Sequence, residues 1–222
     1  MQITLKGKLL IGISGLILLL VAVMTFNSYQ KTKEIIIAQE ENHFAVLENI
    51  VGVEIDNYLS RGEMLVKFVA EDIETIKAFA DRERNGLALI VKGRYNALQD
   101  EGVNVLQFHL PDGTSFYRAH QPEKYGDSVM FRDTIKTIVQ EKQPIKALEE
   151  GVAGFSFRAI EPVYEFGQYI GSVEVGMDVE SVFVEELKEI LENEVFVYTL
   201  TSEDDTASLI GGTMDKDYFP VP

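Results

Sequence analysis

The sequence predicts an α+β protein: an N-terminal transmembrane helix continuing into a long helix packed on a mostly antiparallel sheet. Three observations predict it. Leu9 to Phe26 is almost wholly apolar. From Lys31 to about Arg82 there is no proline, and apolar residues recur every three or four positions. After Gly102 the apolar period drops to two. A period near 3.6 marks a helix with one buried stripe, and a period of two marks strands.

The first element is the anchor. No charge falls between Lys8 and Lys31, and the apolar run is close to the ~20 residues that span a bilayer. Lys6 and Lys8 flank its N-terminal side, which predicts a cytoplasmic N-terminus and a bulk outside the cytoplasm, in the inner membrane. A cleaved signal peptide is disfavoured. The run exceeds an h-region of about 7–15 residues, and Val23-Met24-Thr25-Phe26 offers no small-x-small cleavage site.

The long helix carries one stripe through Phe44, Leu47, Val51, Ile55, Tyr58, Leu65 and Val69, with Gly62 as the expected kink. Ile35 to Leu47 suits pairing with a second copy, and Tyr58 onward suits packing on the domain. His43 reads as a surface or interface residue of this helix. Asp81 to Gly86 interrupts the pattern, and a second helix is expected over Leu87 to Gln99.

The period-two region opens with a hairpin around Pro111-Asp112-Gly113, where glycine supplies positive φ. Its expected register sets Phe108 against Phe116, Leu106 against Arg118 and Asn104 against His120. That places Gln107, His109 and Tyr117 together on the wetter face. Asp127 or Ser128 should cap a helix to about Glu141, with Phe131, Ile135, Ile138 and Val139 inward. Strands are expected over Ile145 to Glu149, Phe155 to Ile160, Tyr169 to Val175 and Val195 to Leu200. Gly151 to Gly154 and Glu165 to Gln168 read as turns, and Asp178 as the cap of a last helix, Val179 to Glu192. The predicted division is a cytoplasmic tip (1–8), an anchor (9–27), a stalk and packing helix (28–82), a sheet-bearing domain (83–200) and a polar tail or start of a further module (201–222).

The totals exclude several functions. The 222 residues are 46% hydrophobic and 25% charged, an ordinary globular balance. With 36 acidic against 20 basic residues the net charge is −16, which rules out nucleic-acid binding through a basic surface. The chain has no cysteine, so disulfides, thiol nucleophiles and zinc–cysteine sites are out, and no motif implies a cofactor.

Two stretches resemble a known family. FHLPDGTSFYRAHQPEKYGD (108–127), followed by FRDTI, resembles the signature FHLPPATSFLRxHKPEKFGDD…FR of a double-Cache-like subgroup, with Asp112-Gly113 in place of Pro-Ala. GxxFRAIEPVYxxGxxIGSVEVGMD (154–178) is similar to the strands that close the pocket half in that group. Cache domains are PAS-like extracytoplasmic sensor modules of bacterial methyl-accepting chemotaxis receptors and sensor histidine kinases. The resemblance covers roughly residues 9 to 200. It implies a PAS-like sensor fold, ligand binding and a receptor role. Such receptors return through a second membrane helix to a signalling domain, so the chain reads as a fragment or as a sensor without its own transmitter.

Donor side chains cluster in the same stretches, which an acidic chain must explain. Arginine presents a planar fork that takes a carboxylate with two parallel hydrogen bonds. Arg118, Arg132 and Arg158 come from three neighbouring elements. His109 and His120 add titratable donors, and Tyr117, Tyr125 and Tyr164 add hydroxyls and aromatic walls. With Gln107 and Lys124 these form the candidate ligand site for a small anion, a carboxylate by preference. The bland alternative pairs each arginine with a surface carboxylate. A metal on His109 and His120 with Asp112 or Asp127 is a weaker option. The rival classes are a membrane-anchored enzyme, hydrolase-like and using Asp112, Asp127 or Glu161, and a structural anchored dimer without a ligand. No Ser-His-Asp spacing, phosphate-binding glycine loop or HExxH supports an enzyme.

Overall fold

A computed structural model describes residues 4–151, 154–201 and 206–214. The chain divides into two compact units, 1–51 and 52–222. The first unit is helical throughout its described part after Thr4 and belongs to α1, Leu5–Ala70. Among the described residues, α1 is the one helix with a stretch long and apolar enough to cross a membrane.

In the second unit, α1 buries Tyr58, Gly62, Val66, Val69 and Ala70, one stripe at helical spacing. The Tyr58 ring meets Phe157 at 5.2 Å and Phe183 at 5.1 Å between centroids. Gly62 lets the helix lie close on the sheet, since a Cβ there would be 3.4 Å from the Ala159 Cβ. The helix breaks at Glu71-Asp72 and not at Gly62. Asp72 causes the restart: its Oδ2 accepts the Thr75 amide at 2.7 Å and caps α2, Ile73–Ala80. Its Oδ1 accepts from Arg94 at 2.7 Å, tying α2 to α3, Arg84–Gln99.

Five strands follow: β1 Val103–His109, β2 Ser115–Arg118, β3 Ile145–Gly151, β4 Gly154–Glu165 and β5 Gln168–Asp178. They form one antiparallel sheet in the order β2-β1-β5-β4-β3. β5 lies at its centre and is buried on both faces from Ile170 to Met177. One face carries Leu106, Phe108, Phe157, Ala159, Val175 and Met177 and meets α1, α2 and α3. Phe79 of α2 anchors it, edge-on to Phe108 at 5.3 Å and 5.5 Å from Phe116. The other face is covered by the loop 119–132 and by α4, Asp133–Glu141, through Val129, Ile135, Ile138 and Ile160.

The hairpin register differs from the expected one. Leu110 and Thr114 pair as read, with the Leu110 amide on the Thr114 carbonyl at 2.8 Å. A bulge next to Phe108 and His109 then shifts the ladder, so Phe108 opposes Tyr117 and Gln107 opposes Arg118. The extra residue sends both Phe116 and Tyr117 to the helical side and Arg118 and His120 to the other. The expected helix from Asp127 begins only at Asp133, and Phe131 is exposed. Asp178 does cap the segment after β5, accepting the Glu180 amide at 3.0 Å. That segment is a π-helical turn, Val179–Phe183, followed by α5, Val184–Leu191. Thr206–Gly212, expected to be polar tail, is strand β7, paired antiparallel with β6, Phe196–Thr201. The middle of the turn expected at 151–154 and the tail beyond 214 lie outside the described residues.

Candidate ligand site

The sheet face opposite α1 to α3 carries the polar residues. Gln107 and His109 come from β1, Arg118 and His120 from β2 and just beyond it, Arg158 from β4, and Ser172 and Glu174 from β5. Arg132 is the residue before α4. The strand alternation and the bulge together aim all of them into one layer. Between them and the loop lies a cleft of about 30 Å³, lined by Val105, Gln107, Arg118, His120, Gln121, Lys124, Val129, Arg132 and Arg158. That is room for about two water molecules.

All three guanidinium groups reach this cleft, and each meets a carboxylate. Glu174, fully buried, accepts from Arg132 Nη1 at 2.8 Å and from Arg158 Nη1. Burial alone would raise the Glu174 pKa, but Arg132 and then Arg158 outweigh it and hold the carboxyl far below its usual range. Glu149 of β3 takes Arg132 Nε at 2.8 Å and the Thr134 hydroxyl at 2.7 Å. It also accepts the Thr134 amide at 3.2 Å, so a residue from the sheet caps α4. Arg118 is 4% exposed; its Nη1 and Nη2 donate to the two Asp127 oxygens at 2.7 and 2.8 Å. Its Nη1 also reaches the Lys124 carbonyl at 2.7 Å.

His109 lies beneath the cleft with no exposed surface. Its Nδ1 is 3.2 Å from the Ser172 hydroxyl. Its Nε2 is 3.3 Å from Glu174 Oε2 but off the line of a hydrogen bond. Burial, reinforced by the three arginines against the pull of Glu174, brings its pKa down to about 4, so the ring is neutral at pH 7. His120 is lowered too, again by burial first, with its Nδ1 3.4 Å from the Leu106 carbonyl.

The structure thus brings together Gln107, Arg118, His120, Lys124, Arg132 and Arg158, with His109 under them. It sets the three tyrosines elsewhere. Tyr117 faces α3 in a groove with Ala88, Tyr95 and Ala119, because of the bulge. Tyr125 is exposed, its ring 3.3 Å from the Arg84 guanidinium carbon. Tyr164 is exposed near the β4–β5 turn and donates to the Lys142 carbonyl at 3.2 Å. Sequence reasoning missed Glu174 and Glu149. A single charge inside the apolar strand Ile170 to Met177 was the available signal for Glu174.

Three comparisons bear on identity. Residues 37–208 match the family dCache_3, described as the double sensory domain of two-component sensor kinase. No curated protein sequence matches the chain. Among solved structures, the fold is similar to the periplasmic domain of Vibrio cholerae LuxQ, with TM-score 0.55, 14% identity, and 80% of this chain and 82% of that one covered. It is also similar to the sensor domain of the V. cholerae histidine kinase DctB, with TM-score 0.58, 14% identity and 78% and 66% coverage. The Escherichia coli DcuS sensor domain aligns with TM-score 0.50, 12% identity and 64% and 99% coverage. At these identities the structural likeness speaks for the fold, which is the Cache-type sensor fold. The match over most of its length, on a chain with a candidate N-terminal membrane span, makes this protein a member of the dCache_3 family of sensory domains.

Proposed function

We propose that this chain is the extracytoplasmic sensing region of a membrane-anchored receptor and that its ligand is a small anion, a carboxylate by preference. One observation carries the reading. Guanidinium groups from three separate elements converge on a single cleft roofed by an exposed loop. Gln107, His120 and Lys124 line the same space and supply further donors. The ligand binds without being turned over. The anchor crosses the inner membrane with its N-terminus in the cytoplasm, and the first part of α1 pairs with a second copy.

Binding is tested on the full chain in detergent micelles, by thermal shift against short carboxylates, dicarboxylates and amino acids. A ligand at 100 times its Kd stabilises by about 2.7 kcal/mol. For a domain of this size that is a rise of roughly 5–10 °C. Arg118→Gln should abolish the rise. The reading fails if none of these compounds moves the transition, or if the wild type and Arg118→Gln respond alike. Turnover of a small ester or phosphate would favour a hydrolase.

A further inference from the structure

The three arginines of the cleft are not equivalent. Arg132 and Arg158 are held by Glu174, which has no exposed surface and lies in the central strand, so it cannot leave without opening the sheet. Arg132 is held also by Glu149, which is bonded to the start of α4. Arg118 is held differently. Its partner Asp127 has a side chain 44% exposed. The backbone around Asp127 is pinned independently: the Ser115 amide donates to the Asp127 carbonyl at 2.9 Å and the Gly126 amide to the Ser115 carbonyl at 2.8 Å. The Asp127 carboxylate can therefore swing into water by a side-chain rotation, with no backbone bond broken.

We propose that Asp127 is a resident stand-in for the ligand: its carboxylate fills the Arg118 fork until a carboxylate from solution replaces it. This rests on the carboxylate reading above and makes it specific. Arg118 is the ligand-binding arginine, and Arg132 and Arg158 are positioning residues that hold the floor of the cleft. The two oxygens of Asp127 already take the fork in the bidentate manner an incoming carboxylate would use. Gln121 and Lys124 lie on the same loop and line the same cleft. Val105 and Val129 are the apolar part of a lining that is otherwise polar, and the free space is about 30 Å³. The ligand class that fits so small a space is a short monocarboxylate with its charge on Arg118. Displaced from Arg118, Asp127 releases the one side-chain tie between the 119–132 loop and β2 that a ligand can replace in kind.

The consequence is an inverted mutational effect: removing a charge from the site should strengthen binding. With Asp127 as its resident occupant, the fork is free in only a minority of molecules, and apparent affinity falls by that fraction. The full chain in detergent micelles is titrated calorimetrically with acetate and propionate. Asp127→Asn should bind about three- to tenfold more tightly than wild type. Asp127→Glu, which keeps a carboxylate for the fork, should stay within about twofold of wild type. Arg118→Gln should not bind. If wild type binds and Asp127→Asn binds equally or more weakly, or does not fold, Asp127 is a structural staple; the inference is overturned while the carboxylate reading stands. Asp127→Glu binding as tightly as Asp127→Asn overturns it as well. Should neither wild type nor Asp127→Asn bind acetate or propionate, this inference is overturned, and the carboxylate reading falls with it only if dicarboxylates and amino acids also leave the melting transition unmoved.

Discussion

Glu174→Gln tests the buried network directly, because it keeps the side-chain volume and removes one charge. In the folded protein Glu174 faces Arg132 and Arg158, both almost without exposed surface, and His109. Without its charge, Arg132 still has Glu149. Arg158 keeps only the Glu149 carboxylate at 3.9 Å and a 3.4 Å contact to its carbonyl. Leaving a buried ion without its partner costs about 3–5 kcal/mol. A domain of this size loses roughly 2–4 °C of melting temperature per kcal/mol, so the drop should be about 6–20 °C. Scanning calorimetry of the full chain in detergent micelles measures it. The double variant Glu174→Gln/Arg158→Met removes the stranded charge together with its partner. It should melt well above the sum of the two single effects, with a coupling of about 2 kcal/mol. A Glu174→Gln drop below about 2 °C, or strict additivity in the cycle, would refute the view that Glu174 balances the two arginines.

Stability should fall with pH before the carboxylates titrate. His109 has a folded pKa of about 4, below its ordinary 6.5, so the unfolded chain takes up the proton first. Its contribution is complete above pH 6.5 and is lost down to about pH 4, at most about 3 kcal/mol. His120 acts in the same sense, while the raised pKa of Glu161 acts in the opposite one. Melting temperatures from pH 7 to 5 should therefore fall less steeply in His109→Gln than in wild type, and equal slopes would contradict the assignment. Gly171→Ala should not fold: φ is 137°, and a Cβ there would overlap the His109 carbonyl oxygen and press on the Phe79 ring. Solubility and circular dichroism of the purified variant decide this, a wild-type spectrum counting against it. Asp72→Ala removes the cap of α2 and the Arg94 pair and should cost about 1–2 kcal/mol, read as a shift in melting temperature of roughly 2–8 °C.

The architecture was legible because periodicity is a local property. The long apolar N-terminal helix, α3, the sheet strands from Val103 to Asp178 and the Pro111 turn follow from spacing and turn chemistry. What was not legible depends on partners distant in sequence. Asp127 has the residue type of a helix cap, but Arg118 claims its side chain, and α4 takes its cap from Glu149 on the next strand. The break at Glu71-Asp72 did carry a local sign, an aspartate three residues before Thr75. The glycine at position 62 was the more obvious candidate, yet glycine there serves close packing. β7 escaped because a short, glycine-bearing strand has little pattern of its own and is defined by β6.

The candidate site shows the same division more sharply. Residue type was enough to single out three arginines and two histidines, and the fold does gather them. Their arrangement hangs on one inserted residue. Without the bulge beside Phe108, strict alternation would turn Arg118 and His120 toward the helices and leave Tyr117 facing the cleft. The bulge exchanges them, so one backbone irregularity decides that the β2 edge of the sheet offers the cleft a guanidinium fork instead of a phenol. The remaining polar residues then follow from charge balance. A buried layer with Arg132 and Arg158 must contain carboxylates of equal depth, and Glu174 in the central strand and Glu149 at its edge meet that need. Arg118, at the opposite edge of the layer and beside the loop, is left with a carboxylate that water can reach.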